Sequence, residues 1–181
     1  MFSRAIRAAL LKRQLYHEVR EDPEAILNAL GIVVLVGIAM GFSSLEVSIG
    51  EAADPTNLGN LADRAIGMWL IVMTTLVGWV LWAGVIYILG TKFLGGRGDY
   101  RLVLRSLGFG YAPGVLLSLE LVPVIGDLLF IASLLWVLVS GVVAVHEAQQ
   151  ADWLGTFLTT FLGWVLCFLL LPGYIIYTLV G

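Results

Sequence analysis

Three arginines, Arg97, Arg101 and Arg105, recur at four-residue intervals in the stretch "LGGRGDYRLVLRSLGFGYAPGVLLSLELVP", which runs from Leu94 to Pro123. Residues four apart share one face of a helix. The spacing therefore predicts a cationic row suited to phosphate, above all the headgroups of anionic lipids. The flanking glycines raise a nucleotide reading as well. However, G-x-x-x-x-G-K-[ST] is missing, and the stretch follows an apolar run with the look of a membrane helix instead of a β-strand. Both the phosphate-loop and dinucleotide readings lose their structural context. Arg97-Gly98-Asp99 reads as a tight turn.

The other ionisable groups assemble poorly. His17-Glu18 and His146-Glu147 are sequence neighbours, which point apart on a helix, and no H-E-x-x-H follows. The lone Cys167 lies in an apolar run and reads as a packing residue. Glu46, Glu51, Asp54 and Asp63 lack the spacing of an EF-hand loop. No catalytic residue, cofactor or metal site is expected, and the chain reads as non-enzymatic. A lipid-handling enzyme using the arginine row and His146 is a weaker reading. Glu120 stands apart, because an ionisable residue within an apolar segment is costly enough to mark function. It motivates the alternative of a small transporter or channel; its structural counterpart is an interfacial carboxylate that ends a span.

The elements that must position these residues are membrane spans. Only 13% of the 181 residues are charged, about half the roughly 25% of a soluble domain. A bilayer core about 30 Å thick needs roughly 20 apolar residues of helix. Residues 25–44, 65–90, 106–122, 128–145 and 154–180 answer that description, the third being the shortest. The expectation is an all-α, polytopic integral membrane bundle of about five helices. An alternative pairs the third and fourth runs as a re-entrant hairpin around Pro123. The first run is too long, and starts too late, for a signal peptide.

Basic residues concentrate on the cytoplasmic side of membrane proteins. Nine of the ten lysines and arginines fall before the first span or between the second and third, and only Arg64 lies elsewhere. A cytoplasmic N-terminus follows. Residues 1–24 are expected to form a cytoplasmic basic N-terminal segment, read as one interfacial helix or as a solvated leader, and 25–181 a transmembrane domain. In the segment, Phe2, Ile6 and Leu10 make one apolar row and Leu11, Leu15 and Val19 another, nearly opposite. One row is expected to face lipid and the other the bundle. Asp22 is a candidate N-cap, with Pro23 in the first turn of the next helix. Residues 45–64 read as a solvated acidic loop. The net charge of -3 argues against nucleic acid, which selects a basic face.

Small residues predict close helix packing in lipid. Gly37 and Gly41 form G-x-x-x-G; Gly78 and Gly84 follow on the second span, and Gly108, Gly110 and Gly114 on the third. Pro113 should bend the third span by removing a donor, and Pro172-Gly173 the fifth. Trp69 and Trp153 are candidate interfacial anchors; Trp79, Trp82, Trp136 and Trp164 read as packing residues.

The order of features resembles the YIP family, the Ypt/Rab-interacting membrane proteins and their prokaryotic relatives. "EDPEAILNALGIVVLVG" leads into a first span, and "LGGRGDYRLVLRSLGFGYAP" resembles the family's basic, glycine-rich turn followed by a G-Y-x-x-P-like segment, carried here by Gly110, Tyr111 and Pro113. The short leader resembles compact prokaryotic members. The resemblance implies a five-span bundle with a cytoplasmic N-terminus that organises membranes instead of catalysing a reaction. A scaffold or accessory subunit in a prokaryotic cytoplasmic membrane is expected, its partners being lipids and other membrane subunits or further copies of itself.

Overall fold

The computed structural model describes residues 2–49, 58–93, 95–96, 98–122 and 124–167, without the side chains of 43–49, 58–64 and 93. These residues form helices α1 (Phe2–Ala9), α2 (Gln14–Glu21), α3 (Ala25–Ile49), α4 (Leu58–Phe93), α5 (Tyr100–Gly110), α6 (Gly126–Gln149) and α7 (Trp153–Val165), with a 3-10 segment, Ala112–Leu121, continuing α5. Ala25–Phe42, Ala65–Lys92, Tyr100–Leu121 and Gly126–Gln149 are each long and apolar enough to cross a bilayer, and α7 is a shorter apolar helix. The protein is an all-α polytopic membrane bundle.

The basic leader is two helices, not one. The chain reverses at Leu11, whose φ is 56°, and α2 packs back along α1. Leu15, Tyr16 and Val19 are buried, while Phe2, Ile6 and Leu10 are exposed. A break at 10–13 lets both apolar rows find apolar surroundings, which a single straight helix would not. Asp22 accepts from the Glu24 amide at 3.1 Å through Oδ1 and from the Ala25 amide at 3.1 Å through its carbonyl, so it starts α3.

The loop expected at 45–64 is shorter than its composition implies. Helix α3 runs to Ile49 and α4 begins at Leu58, because polar residues that leave the hydrocarbon can still extend a helix. Residues 50–57 lie outside the described set.

Glycines set how closely the helices approach. A Cβ at Gly37 would stand 3.1 Å from Val72 Cα, and one at Gly41 2.9 Å from Met68 Cγ, so this edge of α3 is pressed against antiparallel α4. Gly108 meets Ala29, Gly114 meets Val36, and Gly110 meets the backbone of Gly141. Helix α5 and its 3-10 continuation are therefore parallel to α3 and antiparallel to α6. Gly78 and Gly84 differ from this expectation: no atom outside their own helix lies near the place of a Cβ. Gly84 sits on the outer side of α4, whereas Gly78 is buried without a close neighbour at the place of a Cβ.

The third span changes helix type where Pro113 enters. Without a donor at 113, the Gly114 amide reaches back three residues to the Tyr111 carbonyl at 2.7 Å, and the chain stays in 3-10 form to Leu121. Runs of this length are uncommon. At about 1.5 Å per α residue and 2.0 Å per 3-10 residue, Tyr100–Leu121 reaches about 37 Å, enough for the bilayer core. The expected start at Ser106 is thus corrected to Tyr100. Pro172, Gly173 and the second half of the expected fifth span lie outside the described residues.

Candidate functional site

Polar side chains gather where α2, the start of α5, the end of α6 and the start of α7 meet. Arg105, half-buried on α5, donates through Nη2 to the Arg20 carbonyl at the end of α2, at 2.6 Å. Arg20 in turn donates to the Glu147 carbonyl in the last turn of α6. The last carbonyls of a helix have no partner within it and carry its negative dipole end. Two guanidinium groups thus tie the ends of α2 and α6 to the middle of α5. The Glu147 carboxylate lies 3.8 Å from Arg13 Nε and 3.8 Å from His17 Nε2. Trp153 opens α7 and stacks on His146, with centroids 3.6 Å apart, while Arg13 stands over the same tryptophan at 5.0 Å. Asp152 caps α7 by accepting from the Gly155 amide at 2.8 Å.

The glycine-rich turn completes this end of the bundle. Gln149 is fully buried and donates from Nε2 to the Ile86 carbonyl at 3.3 Å. Its amide occupies the space where a Cβ on Gly90 would be, and its chain also packs on Gly96 and Gly98. Gly95 turns the chain with a φ of 65°. The glycines are therefore a cradle for a glutamine of this chain, and close approach explains them without a phosphate.

Carboxylates on α2 and at its C-cap hold α1. Arg4 binds Asp22 at 2.8 Å, and Arg7 binds Glu18 at 2.6 Å. The Arg7 hydrogen bond lowers the Glu18 pKa, and the Arg4 hydrogen bond lowers that of Asp22. Tyr16, buried on α2, has its phenol pushed up by loss of solvent. Among the described residues no His, Cys, Asp and Glu group is arranged to hold a metal.

The middle of the bundle turns on Tyr111 and Trp82. Trp82 is fully buried, donates from Nε1 to the Thr160 carbonyl at 2.9 Å and meets the Tyr111 ring edge-on at 5.5 Å. Gly141 and Gly163 leave room for its indole. The Gly110, Tyr111 and Pro113 segment is thus the crossing point of α4, α6 and the third span. A family model for the Yip1 domain matches residues 9–175. The chain belongs to the Yip1-domain family. Comparison with curated proteins and with solved structures yields no match.

In this Yip1-domain bundle the candidate residues separate. Arg101 is exposed, whereas Arg105 is turned into the helix-end lock, so the two do not form one free cationic row. A helix face shared by spacing is still divided when a neighbouring helix covers one edge of it. Arg97 lies outside the described residues. Glu120 follows Tyr111, Gly114 and Leu117 at 3-10 spacing, but those three are buried and it is exposed. Trp69 and Trp153 are partly or largely exposed. Trp136 is half-exposed instead of packed inside, and its Nε1 donates to the Ala9 carbonyl at 2.9 Å. Gln149, Gly90, Gly141 and Gly163 escaped sequence reasoning. Isolated glycines within apolar runs were the available signal; nothing local marked Gln149.

Proposed function

We propose that this integral membrane protein acts as a non-enzymatic scaffold or accessory subunit, docked through its spans onto other membrane subunits or onto copies of itself. The observation that carries this is the unused outer side of α4. Gly37, Gly41, Gly108, Gly110 and Gly114 are all occupied by helix contacts within the chain, but Gly84, which is not buried, meets none. A shallow groove of about 470 Å³ lies beside Gly84, lined by Val80, Leu81, Val85, Ile88 and Tyr100. In lipid, backbones approach where small residues allow dispersion contacts, so this groove has the form of a seat for another span. The host is the cytoplasmic membrane of a prokaryotic cell, with the arginine-rich end inside, as the charge distribution supports. Transport through Glu120 draws no support from the exposed place of that carboxylate.

Purification in a gentle detergent, followed by mass measurement and cross-linking, tests the proposal. A stoichiometric partner or a defined oligomer is expected, lost in Gly84→Leu while the monomer stays folded. A monomer that remains alone under all gentle conditions sinks the idea.

A further inference from the structure

We propose that the groove between α1, α3 and the 3-10 segment holds one acyl chain of a bilayer phospholipid, with α1 as the strap that closes it. The cavity measures about 430 Å³; Phe2, Ile6 and Ala9 form the strap side, Ile32 and Leu35 the α3 wall, and Val115 the 3-10 wall. That volume lies within the roughly 300–1,000 Å³ of pockets that hold a single small apolar ligand, a size class that includes one lipid tail.

The choice of lipid rests on three observations. First, two walls belong to Ala25–Phe42 and Tyr100–Leu121, both long and apolar enough to cross a bilayer. The groove therefore opens at hydrocarbon depth, where the surrounding solvent is lipid tail and a peptide backbone would lose its hydrogen bonds. Second, the charges of α1 are neutralised on α2 and its C-cap, Arg7 by Glu18 and Arg4 by Asp22, as cations close to hydrocarbon require. The groove keeps an apolar lining as a result. Third, α1 is tied at its other end, where Trp136 donates to the Ala9 carbonyl at 2.9 Å and Ser140 to the Ala8 carbonyl at 3.5 Å. With the strap fixed from both sides, its ordering cost is met before a ligand arrives. A tail in the groove touches protein on three sides, unlike lipid against the open face of α4 at Trp69 and Leu70.

The full chain is reconstituted in vesicles of phosphatidylcholine with a diazirine in one tail, extracted and stripped with detergent, then illuminated and mapped. Label on Ile6, Ile32 and Leu35 should exceed label on Trp69 and Leu70 by about tenfold, a difference of ~1.4 kcal/mol in retention. Equal labelling of the two sets would overturn the proposal. Ala5→Phe with Ala9→Phe fills the groove from the strap, and Ala112→Phe fills it from another wall should the first variant not purify. Either should lower the groove label about tenfold; a monodisperse variant that keeps it refutes the site. Vesicles doped instead with a diazirine fatty acid separate the sources. Labelling by the free acid but not by the phospholipid would overturn the phospholipid assignment.

Discussion

The crossing of α5 and α6 at Gly110 allows a quantitative test of the packing argument. A Cβ at Gly110 would stand 3.2 Å from Gly141 Cα, 3.3 Å from Gly141 N and 3.4 Å from the Ser140 carbonyl oxygen. Carbon atoms prefer about 3.5–4.0 Å. All three neighbours are backbone, so no rotamer change relieves the crowding and a whole helix must shift. Overpacking of this kind costs about 1–3 kcal/mol. Alanine also recovers the helix propensity that glycine lacks, about 1 kcal/mol. Gly84→Ala has the second effect without the first, because a Cβ there meets nothing within 4 Å and the position is not buried. Gly110→Ala should therefore be less stable than Gly84→Ala by about 1–3 kcal/mol, or about 2–12 °C in midpoint at this chain length. Reversible unfolding in mixed micelles, followed by tryptophan fluorescence, measures the difference. Equal stability of the two variants, or a more stable Gly110→Ala, would refute the reasoning that this contact sets the helix spacing.

Arg105→Ala should cost about 1.5–3 kcal/mol by removing a charged donor from the Arg20 carbonyl, while exposed Arg101→Ala stays within about 0.5 kcal/mol; the same unfolding assay compares them. Gln150 ends α6 in the left-handed region with a φ of 51°, so Gln150→Gly should stabilise the protein by about 1 kcal/mol, read as a higher midpoint. The hold of α2 on α1 should depend on pH. Glu18 and Asp22 have lowered pKa values in the folded chain, so their contribution is present above the ordinary carboxylate range and fades as pH falls through the folded values. Spin labels at Phe2 and Glu21 should give a narrow distance distribution at neutral pH that broadens only in acid; broadening at neutral pH would contradict the ion pairs.

Much of the architecture was legible in the chain, for a physical reason. Lipid demands long apolar helices with internally satisfied backbones, so Ala25, Ala65 and Gly126 each lie close to where a hydropathy reading starts a span. A disturbance at Pro113 was expected from its missing donor, but the form it takes, a 3-10 segment over Ala112–Leu121, was not. Candidate site residues were harder to place. Arg101 and Arg105 have the same type and ideal spacing, yet only a neighbouring helix end distinguishes an exposed cation from a lock. Gly84 and Gly37 are likewise identical in sequence terms, and only the packing around α4 separates a free surface from a close contact.

By itself, then, the amino-acid sequence determined the solvent: its apolar run lengths make it a polytopic membrane chain, and residues 9–175 match the Yip1 domain. Tertiary structure alone decided which glycines touch backbone, why Gln149 needs the turn beyond Gly90, and how α1 closes an apolar groove. Hydropathy and local donors act over a turn or two of helix. Contacts such as Trp136 with Ala9 join residues more than a hundred positions apart, and no local pattern encodes them.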